Sequence, residues 1–129
     1  MKTFQTTTWS INLPDEWEEE HDDEGVTIFH PDGFGAIEIS AVERDEPVDD
    51  GFLEFMASEH LEAGAEPDEV EYGDFEGFEF GYDNEGDYWR EWYLGADNLM
   101  LYVTYHCPVA NEGREDDEVD AILESLSLV

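Results

Sequence analysis

Acidic side chains outnumber basic ones so strongly that charge limits how this chain can fold. The 129 residues include 37 Asp and Glu but four Lys and Arg, which gives a formal net charge of -33. Two carboxylates about 7 Å apart in water repel by roughly 0.6 kcal/mol before screening. Many such pairs together rival a total folding stability of about 5 to 15 kcal/mol. The sequence therefore predicts a fold that added salt stabilises.

The apolar content is nevertheless high enough to form a core. Hydrophobic residues make up 40% of the chain and include four Trp, six Tyr and eight Phe, so a single folded domain is expected over residues 1–129. The N-terminus has no secretion signal, and every apolar run is too short to cross a bilayer. With one cysteine, Cys107, and an acidic surface, we expect a soluble cytoplasmic protein that binds neither nucleic acid nor anionic membranes.

The spacing of apolar residues predicts an α+β fold. Helical spacing predicts a helix over residues 49–64, with Asp49 or Asp50 as N-cap and Gly64 as its end, and a second helix after Asp116. Seven other segments carry strand signals, with alternation of apolar and polar residues clearest in residues 4–13 and 35–43, while residues 99–107 are apolar on both faces, as in a central strand. These segments are residues 4–13, 26–29, 35–43, 70–75, 77–82, 88–94 and 99–107. The predicted order is βββαββββα, with an antiparallel sheet of about six to seven strands flanked by helices.

Residues 15–24 carry the densest negative charge in the sequence. Eight of these ten residues are Asp or Glu, and they surround Trp17. This composition predicts an exposed loop that the buried Trp17 side chain anchors. A loop of this charge is suited to contact a basic protein partner. The predicted contact residues are Glu18, Glu19, Asp22 and Asp23.

The aromatic run from residue 88 to residue 93 is the second candidate binding feature. On a strand, Trp89 and Tyr93 lie on one face, while Tyr88 and Trp92 lie on the other with Arg90. If that second face is exposed, Tyr88, Arg90 and Trp92 form an aromatic patch of the kind that is enriched in protein interfaces. In the alternative, helices cover both faces and Arg90 pairs with a cross-strand Glu. The sequence leaves both arrangements open.

Candidate metal and catalytic residues do not form a recognisable pattern. His106 and Cys107 are neighbours on a predicted strand, so their side chains point to opposite faces, and no zinc-site spacing is present. The turn at Asp83 to Asp87 lacks the ligand spacing of an EF-hand. Because carboxylates are so numerous, no acid–base pair can be singled out. We therefore predict no catalytic residue, no metal ligand and no cofactor, and expect that the protein is not an enzyme.

Four short patterns spread over nearly the whole chain carry a family resemblance. They are Ile11-x-Leu13-Pro14-x-x-Trp17, Phe29-x-Pro31-x-Gly33 followed by Ala36-Ile37-x-Ile39-Ser40, Leu101-Tyr102-Val103-Thr104-Tyr105, and Val119-x-x-Ile122-Leu123-x-Ser125-Leu126. Together they resemble the PsbP-like superfamily, which includes the extrinsic P protein of photosystem II and the Ran-binding Mog proteins. The resemblance implies a sheet flanked by helices and a binding or accessory role, with no shared active site.

Two functional hypotheses follow from the charge and the resemblance. In the first, the chain is a non-catalytic protein-binding domain, such as an acidic inhibitor or immunity-like protein that covers a basic partner. Such a protein would associate with its partner rapidly and in a salt-sensitive manner. In the alternative, it is a salt-adapted accessory protein whose acidity serves solubility, with a small-ligand or weak cation site.

Overall fold

Residues 2–129 are described by a computed structural model in which seven strands form one large antiparallel sheet. In spatial order these strands are β3 (Glu18–His21), β4 (Val26–Phe29), β5 (Ala36–Glu43), β9 (Leu99–Pro108), β8 (Asp87–Ala96), β7 (Phe75–Asn84) and β6 (Asp68–Tyr72). A small antiparallel sheet contains β1 (Lys2–Gln5), β2 (Trp9–Leu13) and β10 (Ser127–Leu128). The helices are α1 (Asp50–Met56), α2 (Ser58–Glu62) and α3 (Asp116–Leu123), with a 3-10 turn at Val109–Asn111. The predicted α+β class and antiparallel sheet are confirmed.

The element order departs from the predicted βββαββββα at the two ends of the chain. The single strand predicted over residues 4–13 is a hairpin of β1 and β2, because Thr6 closes a turn in which its hydroxyl oxygen accepts from the Trp9 backbone N–H at 3.0 Å. The two-residue strand β10 then pairs with β2. Neither feature changes the alternation of apolar residues, which is why periodicity alone did not reveal them.

The acidic segment is also more ordered than predicted. Trp17 is buried, as expected, but Glu18–His21 is strand β3 rather than loop, and it pairs with β4. A strand at the edge of a sheet has a partner on one side and water on the other, so charged side chains are tolerated along it. Gly25 is the last residue of the turn between β3 and β4, where the chain passes close to β5. A Cβ at this position would lie 2.4 Å from the Ile39 carbonyl oxygen, so a side chain does not fit.

The predicted helix over residues 49–64 has the expected ends but is divided in two. Asp49 is the N-cap and its side chain accepts from the Phe52 N–H at 2.9 Å, while Gly64 has a φ of +87° at the other end. At Ala57 the backbone leaves helical geometry, with φ -92° and ψ 11°. This break separates α1 from α2. None of the helices in the described part of the chain is both long and apolar enough to cross a membrane.

The two faces of the large sheet are covered to different extents. On one face, which we call the closed face, the small sheet and α3 pack over the large sheet. The buried cluster between them includes Ile11, Trp92, Val103 and Ile122. On the opposite face, α1 and α2 cover the sheet at one end through Leu53 and other apolar side chains. The rest of this face lies under no helix. We call it the open face.

Candidate functional site

A groove of about 860 Å³ occupies the uncovered part of the open face. The β3–β4 hairpin contributes one side of it, and β8 with the end of β7 contributes the other. Its floor is a row of residues directly paired across five neighbouring strands, β3, β4, β5, β9 and β8. In that order the row is Glu20, Thr27, Glu38, Thr104 and Glu91. Acidic and hydroxyl side chains thus alternate along the floor.

Glu91 lies at the inner end of this row, where the groove meets the helices. Its carboxylate is 7% exposed and accepts hydrogen bonds at Oε1 from the hydroxyls of Tyr82, at 2.8 Å, and Tyr102, at 3.1 Å. Its Oε2 atom contacts Nε2 of His60 on α2. The His60 ring stacks on Phe80 with ring centroids 4.7 Å apart. A buried carboxylate in an apolar surrounding requires such partners, and Glu91 has three.

The two tyrosine hydroxyls around Glu91 stay protonated over a wide pH range. Burial first, and then the hydrogen bond to Glu91, raises the pKa of Tyr82 above its ordinary value. Burial and the negative charge of Glu91 likewise raise the pKa of Tyr102. Both hydroxyls therefore donate to Glu91 and keep oxygen lone pairs with which they can accept hydrogen bonds from a ligand.

Aromatic rings form the wall beside Glu91. Tyr82, Trp89 and His106 are directly paired across β7, β8 and β9. The Trp89 ring is nearly parallel to both neighbours, with centroids 4.5 Å from His106 and 6.4 Å from Tyr82. Of the four Trp residues, all within the described chain, Trp89 alone is half-exposed. Trp89 lines the groove, with its ring stacked between those of Tyr82 and His106.

The charge of the groove is uniformly negative. Five carboxylates line it, and none of its described lining residues is Lys or Arg. These carboxylates belong to Glu20, Asp22, Glu24, Glu38 and Glu91. A concave site lined by one sign of charge concentrates counter-ions of the opposite sign. The arrangement is therefore suited to a cationic ligand.

The closed face carries a different charged cluster, centred on Arg90. Its guanidinium donates to both carboxylate oxygens of Glu79 at 3.1 Å and to Asp120 of α3 at 2.8 Å, and it lies 3.5 Å from Asp116. The indole N–H of Trp92 donates to the same Glu79 at 2.9 Å. Burial alone would lower the pKa of Arg90, but the hydrogen bonds and charges of Glu79 and Asp120 outweigh burial and raise it. This network fastens α3 to the sheet.

The predicted acidic contact residues are distributed around the β3–β4 hairpin. Asp22 lines the groove, and its Oδ1 atom accepts from the N–H groups of Glu24 and Gly25 at 2.8 and 3.1 Å. Glu18 and Glu19 border a smaller hollow beside β1, and Asp23 is exposed in the turn. The structure thus brings one of the four predicted residues into the groove, together with Glu20 and Glu24 of the same segment.

The predicted aromatic patch lies on the closed face. Trp92 is fully buried, Arg90 is 6% exposed and Tyr88 is half-buried, so these three side chains do not form an exposed patch. One half of the alternative arrangement is observed: Arg90 pairs with a cross-strand Glu under α3, whereas helices cover the other side of β8 only at one end. Trp89, on the other side of the same strand, is half-buried like Tyr88, and it is the aromatic residue of the run that lines the groove.

Sequence reasoning did not identify Glu91, Glu38, Tyr82, Tyr102 or His60. The signal for Glu91 was a single carboxylate between Trp89 and Tyr93 on one face of a strongly aromatic strand. A charged residue at such a position is unusual unless it has partners. Its partners come from β7, β9 and α2, which are distant in sequence. Among residues 2–129, no group of three or more His, Cys, Asp or Glu side chains is arranged to hold a metal ion.

Comparison with known proteins shows similarity of fold. A protein from Bacteroides thetaiotaomicron matches 99% of this chain with a TM-score of 0.71 at 20% identity, and this chain spans 48% of its length. LpqN of Mycobacterium tuberculosis, described as involved in cell envelope biogenesis, matches 94% of this chain with a TM-score of 0.58 at 16% identity, and 83% of LpqN is covered. These two structures establish the class of fold as a known bacterial α+β architecture.

A third solved structure is similar over nearly the whole chain, but at a lower TM-score. PsbP (CyanoP) from Synechocystis sp. PCC 6803 matches 99% of this chain and 92% of its own, at 10% identity and a TM-score of 0.46. No protein-family model matches the sequence, and no curated protein matches it either.

Proposed function

We propose that this chain is a non-catalytic binding domain that receives a basic segment of a partner protein in the groove of the open face. One observation carries the proposal: the part of the sheet left uncovered by helices is lined by five carboxylates and no described Lys or Arg. Charge complementarity of this kind favours a cationic occupant and speeds its association. An acidic inhibitor or immunity-like protein that covers a basic partner would act through such a surface.

The size of the groove fits a chain segment rather than a whole domain. Its volume of about 860 Å³ lies within the usual range of ligand clefts, about 300 to 1,000 Å³. A groove that crosses five strands is also about 20 Å long, since neighbouring strands lie roughly 4.8 Å apart. An extended peptide of about six residues spans that distance.

In the second candidate function, the chain is a salt-adapted accessory protein whose acidic surface serves its own solubility. Exposed carboxylates also lie outside the lining of the groove, on α1, α2 and β6, which is the distribution that general acidity would produce. In this case charge in the groove and charge elsewhere would be equivalent. The two candidates therefore differ in whether binding of a basic peptide depends on where the carboxylates are removed.

Two matched variants separate the candidates. The groove variant combines Glu20→Gln, Asp22→Asn, Glu24→Gln and Glu38→Gln, and the control variant combines Glu54→Gln, Glu62→Gln, Glu66→Gln and Asp68→Asn. Both lose four negative charges, and Asn at position 22 keeps the oxygen that caps the turn. Isothermal titration calorimetry with oligolysine should show roughly tenfold weaker binding for the groove variant, equivalent to about 1.4 kcal/mol, and a much smaller change for the control. Equal losses in the two variants would support general solvation.

A further inference from the structure

The floor of the groove repeats its negative charge at a regular distance. Glu20, Glu38 and Glu91 lie on alternate strands of the sheet, with Thr27 and Thr104 between them in the paired row. Because neighbouring strands are about 4.7 to 4.9 Å apart, the backbone positions of the three carboxylates repeat at about 9.5 Å. A ligand that runs across the strands therefore meets a negative charge at this interval.

This interval matches the repeat of an extended peptide rather than that of adjacent residues. In a polyproline II conformation the chain rises about 3.1 Å per residue with three residues per turn, so every third side chain points the same way at about 9.3 Å. Basic residues three apart would then face successive carboxylates of the floor row. Adjacent basic residues would point in different directions, and most of them would miss the row.

The acceptor positions left on Glu91, at the inner end of the row, suit a lysine side chain better than an arginine side chain. A carboxylate has about four acceptor positions, and three positions of Glu91 are occupied by Tyr82, Tyr102 and His60. The paired oxygens that a guanidinium fork prefers are therefore not free together. A lysine ammonium is compact and has three N–H donors.

Three oxygen acceptors converge at the same place. The Tyr82 and Tyr102 hydroxyl oxygens lie 2.8 and 3.1 Å from the same Glu91 atom, and all three residues line the groove. Each hydroxyl keeps lone pairs after it donates to Oε1 of Glu91, and the one acceptor position that Glu91 keeps is on Oε2, beside His60. Trp89 lines the groove beside them and stacks on Tyr82, so its emission can report on a ligand bound there.

We infer that the groove recognises a partner segment with lysine at every third residue, bound in an extended conformation across the strands, with one lysine ammonium held by Glu91, Tyr82 and Tyr102. The inference rests on the proposed function and specifies the sequence that the groove would select. It adds a spacing and a choice of lysine over arginine that general attraction between opposite charges does not supply.

Peptide spacing is the first test. A peptide of repeated Lys-Ser-Ser units is compared with a permuted peptide of the same composition in which all lysines are adjacent. Long-range attraction alone would favour the clustered peptide or treat the two alike. We expect calorimetry to show the repeat peptide binding roughly tenfold tighter. Equal or tighter binding of the clustered peptide would overturn the spacing, while dependence of both peptides on the groove carboxylates would leave the proposed function intact.

The choice of side chain is the second test, with Trp89 as an internal reporter. The other three Trp residues are buried, so a change in tryptophan emission on binding is assigned to Trp89 and should disappear in Trp89→Leu. The Lys-Ser-Ser peptide should bind roughly tenfold tighter than an Arg-Ser-Ser peptide. The double variant Tyr82→Phe and Tyr102→Phe should remove this preference, whereas Tyr88→Phe on the closed face should retain it.

Each outcome of the second test is decisive. An unchanged lysine preference in the double tyrosine variant, or no preference in the native protein, would overturn the ammonium site. Cadaverine, a free diamine, serves as a further probe. If cadaverine binds as tightly as the repeat peptide, the occupant of the groove is a free amine and not a partner segment, and the inference is overturned. If neither peptide binds the native protein at about 0.1 M salt, both this inference and the proposed function fail.

Discussion

Arg90 and Glu91 are neighbours in the chain, yet their surroundings differ in almost every respect. Arg90 points to the closed face, where Glu79, Asp116 and Asp120 surround it under α3. Glu91 points to the open face, where neutral hydroxyls and His60 hold it at the edge of a groove. The closed cluster joins two elements of the fold. The open cluster keeps hydrogen-bond acceptors that face a space large enough for a ligand.

Burial alone does not separate a charged side chain that joins parts of the fold from one that has room for a ligand. Both side chains are less than a tenth exposed. What differs is the type of partner, since Arg90 is surrounded by formal charges that it must neutralise, whereas Glu91 is surrounded by groups that can accept as well as donate. Substitutions at the two sites should therefore affect different properties.

The largest expected effect is a loss of stability on Arg90→Met. Methionine fills a similar apolar volume but leaves Glu79 and two α3 carboxylates close together without their cation. Removing one partner of a buried ion pair typically costs about 3 to 5 kcal/mol, and urea unfolding should show a loss in this range. Glu91→Gln, measured in parallel, should lose less because an amide still accepts from the two tyrosines. An equal loss at the two sites would contradict the distinction between closed and open clusters.

An intermediate effect is expected at alkaline pH. Burial raises the pKa of Tyr72 on the closed face to about 12, with a further contribution from Glu79, and burial raises that of Tyr93 on the open face to about 12. The folded state thus prefers the neutral phenols. Their contribution to stability is fully present below the ordinary value of 10.0 and is lost as pH rises through about 12.

Urea unfolding between these pH values measures that loss directly. Tyr72→Phe and Tyr93→Phe should each reduce the slope of stability against pH by a similar amount, because the two faces shield their phenols to a similar degree. A slope unaffected by either substitution would show that the alkaline loss comes from other groups.

The smallest expected effect is that of Asp116→Asn. Burial, opposed by Arg90 and supported by neighbouring carboxylates, raises the pKa of Asp116 above its ordinary 3.8. A raised carboxyl pKa means that ionisation is less favourable in the folded state, so the stability it contributes is present at low pH and lost as pH rises through the raised value. At neutral pH, Asn should therefore be neutral or slightly stabilising, within about 0.5 kcal/mol.

Asp120→Asn is the matched control for this prediction. Asp120 accepts from Arg90 at 2.8 Å, whereas the nearest contact of Asp116 with Arg90 is 3.5 Å. Thermal unfolding at neutral pH should show a clear loss for Asp120→Asn, of about 1 to 3 kcal/mol for a charged hydrogen bond. A larger loss for Asp116→Asn than for Asp120→Asn would contradict the assigned roles.

Much of the fold could be predicted because the governing signals are local. The alternation in residues 35–43 placed Glu38 and Ser40 opposite Ile37 and Ile39, and the structure has the same faces. The turn at Glu85 and Gly86 was visible as turn chemistry, and both residues have positive φ, 52° and 89°. Residues 18–21 were missed as a strand because their pairing with β4 depends on a neighbour, while their composition is that of a loop.

The candidate site could be predicted only in part. The dense carboxylates of residues 15–24 indicated one wall of the groove, but the predicted aromatic patch lay on the wrong side of β8 for an open surface. Which side of a strand is covered depends on where the helices pack, and alternation alone does not state it. The partners of Glu91 come from three elements between 9 and 31 residues away in sequence.

The class of fold could be predicted without the structure, as could the apolar and polar faces of most strands and the strongly negative surface, because these follow from composition and from a repeat of two residues. Only helix packing places α3 over Arg90 and leaves the row from Glu20 to Thr104 under none of the described helices, with His60 of α2 contacting Glu91 at its inner end. The reason is physical: strand pairing brings distant residues into register, and helix packing decides which of the resulting faces is closed to water and which is left open to a ligand.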